Sequence, residues 1–323
     1  ALPQTGGRAP PGPEEVEEMS ATLSTSQDQP YGVARVCRAW EIPRSSFYDW
    51  RKRERTPIDQ RPRPGKRGPK TELSDEQLVA RIRTLLVELE EDIGIRGEGH
   101  RKVRARLRRG GVRVGLERVL RVMREHGLLA PTRVGRARGP QVHDGTIVTD
   151  RPDVMWGTDM TTTLTLDDGN ASIFAVVDHC TGECLSLHAA LRGTRFEAIT
   201  SMQEAVREAF GALEVGVARG LTARHDNGSQ FISRAFQNEL KFLGIESSPS
   251  FVRAPEGNGV AERFFRTLKE QLLWVESFRT IDDLRADLAD FRGRYNENWI
   301  LARHGYMTPN QVRAAAEMAP QAA

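Results

Sequence analysis

Cysteine is scarce. Cys37, Cys180 and Cys184 are the only three in 323 residues, too few and too unevenly placed for a disulfide framework, and the count fits a reducing cytosol. Long apolar runs are also missing: no stretch reaches the roughly 18 residues that a membrane-spanning helix needs, so no membrane association is expected. No secretory pattern is read at the start. Ala1-Leu2-Pro3-Gln4-Thr5-Gly6-Gly7 resembles a sortase-recognition tag and is expected to be foreign to the fold. No internal repeat or heptad array is evident. What remains, with 38% hydrophobic and 28% charged residues, reads as a soluble globular chain of two or three domains.

Nor is there much net charge, but the formal +3 conceals an asymmetry. Residues 31–140 hold 28 Lys and Arg against 14 Asp and Glu, a net +14. Residues 1–30 are net −4 and residues 141–323 net −7. A cationic block of this size is the electrostatic footprint of contact with a phosphate backbone. The acidic remainder needs cations between its carboxylates and any phosphate, and therefore points to metal.

Residues 1–30 are rich in Pro, Glu, Ser and Thr and are expected to form a disordered arm. Over 31–55, apolar residues at helical spacing from Val33 to Trp40, an interruption at Glu41-Ile42-Pro43 and a second short helix predict a helix-turn-helix. Its second helix would offer Arg44, Ser45, Ser46 and Tyr48 to a major groove. A small helical hairpin is the alternative. Residues 56–71 read as a basic linker, and 72–131 as a second helix-turn-helix opened by the capping box Ser74 to Gln77. In that unit Arg101, Lys102 and Arg104 are the candidate phosphate contacts. A linker over 132–150 leads to strands at 154–163, 173–178 and 183–190. Helices and short strands then alternate: helix 195–210, strand 221–225, helix 233–242, strand 245–248 and helix 259–275. Hairpins followed by alternating helix and strand give an α/β, RNase H-like catalytic core over 151–276. Its mixed five-stranded sheet with helices is preceded by all-α helix-turn-helix domains and followed by a helical tail over 277–323.

Three carboxylates carry the chemistry. Asp159 interrupts an apolar first strand, where a carboxylate is costly unless paired or coordinated. Asp226 closes the fourth strand, and Glu262 falls in the first turn of a later helix. If the first and fourth strands are neighbours and that helix crosses the sheet, the three converge and could hold two hard divalent cations about 4 Å apart for phosphodiester chemistry. Phe264, Leu268 and Leu272 then form the packing face of the helix, while Glu262, Arg266 and Lys269 follow another.

At these residues the chain resembles the DDE transposases of the insertion-sequence-three family, relatives of retroviral integrases. The first-Asp motif is Trp156-Gly157-Thr158-Asp159, and the second is His225-Asp226-Asn227-Gly228-Ser229-Gln230. The Glu motif runs from Asn258-Gly259-Val260-Ala261-Glu262 through Arg263 to Lys269, with 35 residues between Asp226 and Glu262. Tyr295-Asn296 and Gly305-Tyr306-Met307-Thr308-Pro309 resemble the family's C-terminal signature, and 97–129 its helix-turn-helix. The resemblance implies a bacterial, nucleoid-associated cytoplasmic enzyme that binds the terminal repeats of its element, nicks a 3′ end and joins it to target DNA by transesterification. It also implies two Mg²⁺ or Mn²⁺ ions on Asp159, Asp226 and Glu262, and a homo-oligomer on double-stranded DNA. Lys269 would be the basic residue downstream of the Glu, Asn258 part of a loop near DNA, and Arg263 and Arg266 further contacts. Glu297 to His304 departs from the Arg-Pro-His segment of many relatives.

His179, Cys180, Cys184 and His188 superficially resemble a zinc cluster, but alternation along a hairpin sends Cys180 and His188 apart. Asp178 is expected to satisfy turn amides, and Asp167-Asp168-Gly169 to be a turn. Two other functions compete with the transposase: a non-catalytic DNA-binding regulator or recruited partner, and a nuclease of the same fold.

Overall fold

The computed structural model describes residues 11–57, 73–131, 149–250 and 258–318, which fall into two compact units divided near residue 70.

The first unit comprises α1 (Pro13–Ala21), α2 (Gly32–Ala39) and α3 (Arg44–Arg55). The expected arm over 1–30 is corrected here for residues 11–30, while 1–10 lie outside the described residues. Pro13 opens α1, whose first turn holds Glu14 and Glu15, both favourable at a helix start. Val16 is fully buried with Val36, Cys37 and Phe47, and Met19 packs against them. One apolar stripe of two residues among glutamates was too thin a signal to read. Between α2 and α3, Glu41 takes a left-handed φ of 53° and Ile42 N donates to Cys37 O, which turns the chain at the expected Glu41-Ile42-Pro43.

In the second unit, α4 (Asp75–Glu91), α5 (His100–Arg109) and α6 (Leu116–Glu125) enclose Leu78, Ile82, Val103, Leu107, Val119, Val122 and Met123. The capping box is present: Gln77 N donates to Ser74 Oγ and Ser74 N to Gln77 Oε1. Hydrogen bonds from Arg121 and Arg118 hold the Asp75 carboxyl down at about 2, tying α6 to the start of α4.

The core sheet has β1 (Met155–Thr165), β2 (Gly169–Asp178), β3 (Cys184–Ala190), β4 (Thr222–His225) and β5 (Glu246–Pro249) in the order β3-β2-β1-β4-β5. The first three pair antiparallel, and β1–β4 and β4–β5 pair parallel. β2 reads as an unbroken apolar run because both faces are covered. Phe174 and Val176 pack under α7 (Arg195–Phe210) and α8 (Arg234–Leu243). Ile173, Ala175 and Val177 pack under α9 (Gly259–Leu268) and α10 (Ile281–Asn298). Asp168 does more than turn the chain, since its Oδ2 accepts from Ile281 N at the start of α10. The helix expected over 259–275 is not uniform: from Lys269 to Leu273 it widens into a π turn. There the Gln271 side chain bonds both the N–H and the carbonyl of Arg96, which roots the segment between α4 and α5 on the core. The chain ends its described part with α11 (Pro309–Met318). No helix among the described residues is long and apolar enough to cross a membrane.

His188 on β3 lies between Glu197 and Glu204 of α7, at 2.7 Å and 3.2 Å. The Glu204 bond outweighs burial and, with Glu197, raises the imidazole above its ordinary value of 6.5. The stabilisation is fully present below 6.5 and is lost as pH rises through the raised folded value. Thermal unfolding should therefore separate wild type from His188→Gln by about 1–2 kcal/mol at pH 6, a gap that shrinks by pH 9. A gap independent of pH would contradict the ion pair.

Candidate active site

Asp159 sits on β1 opposite Ala175 of β2, half-buried, with Oδ1 accepting from Met160 N at 2.7 Å. β1 and β4 run side by side, with Gly157 paired to Arg224. Asp226, the first residue past β4, is thereby delivered to the same end of the sheet. Its Oδ1 accepts from Gly228 N at 2.9 Å. Beneath it His225 is buried against Phe231 and Phe236. A backbone carbonyl only accepts, so His225 Nδ1–H donates to Asp226 O and Nε2 takes the Ser247 hydroxyl. Burial lowers its proton affinity further, and this neutral imidazole braces the Asp226 turn.

Glu262 comes from α9. Asn258, immediately before α9, donates Nδ2–H to Thr158 O at 3.0 Å, one residue from Asp159. Close approach is possible because residue 157 is glycine. A Cβ there would stand 2.7 Å from Asn258 Oδ1, 3.0 Å from His179 Nε2 and 3.4 Å from the Ala261 methyl, which marks a strand glycine kept for a neighbouring element.

The electrostatics register the convergence. Burial, then repulsion from Asp226, pushes Asp159 up to about 6 while Lys269 pulls it down. Burial, then Asp159, raises Glu262. Asp159 thus lies in the field of both other carboxylates, and Lys269 faces the site as helical spacing implied. The donor chemistry fits hard divalent cations: oxygen ligands only, one of them half-buried and crowded by like charge. Among the described residues no group of three or more His, Cys, Asp or Glu stands close enough together to hold a metal ion, so ligation requires the carboxylates to draw inward.

Several expected DNA contacts are corrected. Asn258 is 5% exposed and bonded to β1, so it fixes α9 instead of reaching DNA. Lys102 Nζ lies 3.2 Å from the Trp299 ring centroid, a cation–π contact within the protein. Arg104 donates to Val114 O, holding the turn between α5 and α6. Their neighbours Arg106 and Arg109 reach Glu98, Asn298 O and Tyr306 O. Arg266 pairs with Glu270 at 3.0 Å while remaining exposed. Arg263, Arg101, Arg44, Ser45 and Tyr48 are exposed, the last three in the first turns of α3.

Tyr295 and Asn296 are structural: Tyr295 donates to Gly182 O, and Asn296 bonds both the N–H and carbonyl of Cys184. Arg303 and His304 of the divergent tail both contact Cys180 O. Asp178 accepts from Thr181 and Asp153 amides, as a turn residue does. The cysteines are free. Sequence reasoning quoted Gly157 only as part of a motif and weighed His179 only within a discounted zinc cluster, although a glycine inside an otherwise strand-forming run was a usable signal for close packing.

Comparison with known proteins fits this geometry. Residues 149–255 and 243–309 match two models described as Integrase core domain, and 74–136 matches one described as HTH-like domain. Fold and matched domains thus define an integrase-core polynucleotidyl transferase with an HTH-like domain ahead of the core. In its domain content the chain is similar to the transposases of insertion elements. It is 27% identical to the transposase InsD for insertion element IS2A/D/F/H/I/K of Escherichia coli, over 87% of this chain and 90% of that one. InsD for insertion element IS2-9 of Escherichia coli (strain K12) is equally similar, with 89% of its length covered. Among solved structures, the catalytic core domain of BIV integrase is 21% identical over 51% of this chain and 96% of that chain, with a TM-score of 0.38. The simian T-cell lymphotropic virus intasome chain is 18% identical over 73% and 76%, with a TM-score of 0.42.

Because Asp159 is raised, its ionisation opposes folding when no cation is present. The cost is absent below 3.8 and complete above about 6. In EDTA at pH 8, Asp159→Asn should be more stable than wild type by up to about 3 kcal/mol, with the difference gone near pH 4. Equal stability at pH 8 would show that the carboxylate is not crowded.

Proposed function

We propose that this transposase binds the terminal repeats of its element, nicks a 3′ end and transfers that end to a phosphodiester of target DNA by direct transesterification. The observation that supports it most is geometric: the parallel β1–β4 pair brings Asp159 and Asp226 together, and Asn258 ties the start of α9, which bears Glu262, to β1 beside Asp159, on an integrase core. Two Mg²⁺ or Mn²⁺ ions held by Asp159, Asp226 and Glu262 would stabilise the attacking and leaving oxygens of the in-line displacement. Lys269 would hold a non-reacting phosphate oxygen and Arg263 the adjoining backbone. The exposed side chains Arg44, Ser45 and Tyr48, with Arg101, are the surfaces for end recognition. Two DNA ends must be brought to one target, so the working form is a homo-oligomer on DNA, in the bacterial cytoplasm.

Labelled DNA carrying the element ends, incubated with Mg²⁺ or EDTA, tests this. Wild type should give nicked and joined products with Mg²⁺ only. Glu262→Gln should bind DNA within about twofold of wild type and lose joining by at least ~10³-fold. Cleavage without joining would assign a nuclease, and joining by Glu262→Gln would remove Glu262 from the site.

A further inference from the structure

Asn258 holds α9 to β1 through one end of its carboxamide only. Its Oδ1 is buried and, among the described residues, has no hydrogen-bond partner; the same holds for both ring nitrogens of His179, itself 2% exposed. Unpaired buried polar atoms are rare and cost about 1–3 kcal/mol each. These do not lie in different places. Asn258 Oδ1 and His179 Nε2 both flank the bare Cα of Gly157, within 3.0 Å of the point a Cβ would occupy. One is an acceptor and the other can be a donor.

We propose that His179 is a positioning residue for the strand-transfer centre: its Nε2–H donates to Asn258 Oδ1, and the doubly held carboxamide fixes α9 so that Glu262 meets the ions shared with Asp159. Asn258 is then gripped at both ends, by Thr158 O and by His179, across the β1 segment that carries Asp159. Rotation of the carboxamide or the ring toward the space over Gly157 would make the bond. Glycine at 157 is what leaves room for it, since a side chain there would separate the two groups. A protonated ring would add a charge where Arg303 and Arg224 already lie; burial and then these two cations lower His179 to about 4, so the ring enters as a neutral donor. His179 touches no reacting group. Its effect passes through Asn258 to the helix that bears Glu262.

This inference rests on the proposed function for its kinetic consequence but not for its geometry, and the test keeps the two apart. Full-length wild type, His179→Leu and His179→Gln are compared by calorimetric Mn²⁺ titration, DNA-strand joining and thermal unfolding, with ¹⁵N-histidine spectra of wild type and Asn258→Ala. His179→Leu should weaken Mn²⁺ binding and slow joining about 10-fold or more, with the KM for DNA within about twofold. His179→Gln, which keeps an N–H at similar reach, should recover most of both. The spectra should show the Nε2–H tautomer, with a proton shift that Asn258→Ala moves upfield. Unchanged Mn²⁺ affinity in His179→Leu, equal impairment in Leu and Gln, or an Nδ1–H tautomer would each overturn the proposal. Wild type that neither binds Mn²⁺ nor joins ends would instead overturn the proposed function, and the tautomer would still decide the bond.

Discussion

The distance between α9 and β1 governs the site. Asp159 and Asp226 reach the same sheet end through strand pairing alone, because β1 and β4 run parallel in the middle of the sheet. Glu262 has no such guarantee. It belongs to a helix, and it arrives only because Asn258 bonds Thr158 O and because residue 157 has no side chain to hold α9 away. Burial of Phe264, Phe265 and Leu268 with Ile173 and Val177 supplies the attraction, while the glycine and the asparagine set its register.

The same packing makes the carboxylates a stressed group. Burial first and neighbouring like charge second make Asp159 and Glu262 hold protons more tightly, a cost that a bound divalent cation would relieve. Under the proposed function, the chain gives up some stability at its site for affinity toward a cation. Around the site, much of the positive charge works inside the protein. Arg104 closes the α5–α6 turn on Val114 O, while Lys102 against Trp299, Arg106 on Asn298 O and Arg109 on Tyr306 O fasten the helix-turn-helix to the C-terminal segment. Gln271 fastens the Arg96 peptide to the π turn that begins at Lys269. Widened helical turns of this kind recur at functional sites.

The strands and the carboxylates were legible because their signals are local and redundant. Alternating and continuous apolar runs located β1 to β3, and the 195–210 helix was read to its ends. Asp159 was conspicuous as a charge in an apolar strand, and the 35-residue interval tied Asp226 to Glu262. What escaped depends on tertiary partners. α1 shows only Val16 and Met19 toward its neighbours. The π turn exists where Gln271 meets a peptide 175 residues away. A cationic helix looks the same in sequence whether its arginines face phosphates or, like Arg106, a buried glutamate. Asn258 was read as a loop residue near DNA because nothing in its neighbours reveals the Thr158 carbonyl.

The most direct test is a crystal structure of the full chain with Mn²⁺, its ions located by anomalous scattering. The account predicts ions at the end of β1 with Asp159, Asp226 and Glu262 drawn in as ligands, and Asn258 still bonded to Thr158 O. Ions bound without Glu262, or α9 displaced from β1 when they bind, would contradict it.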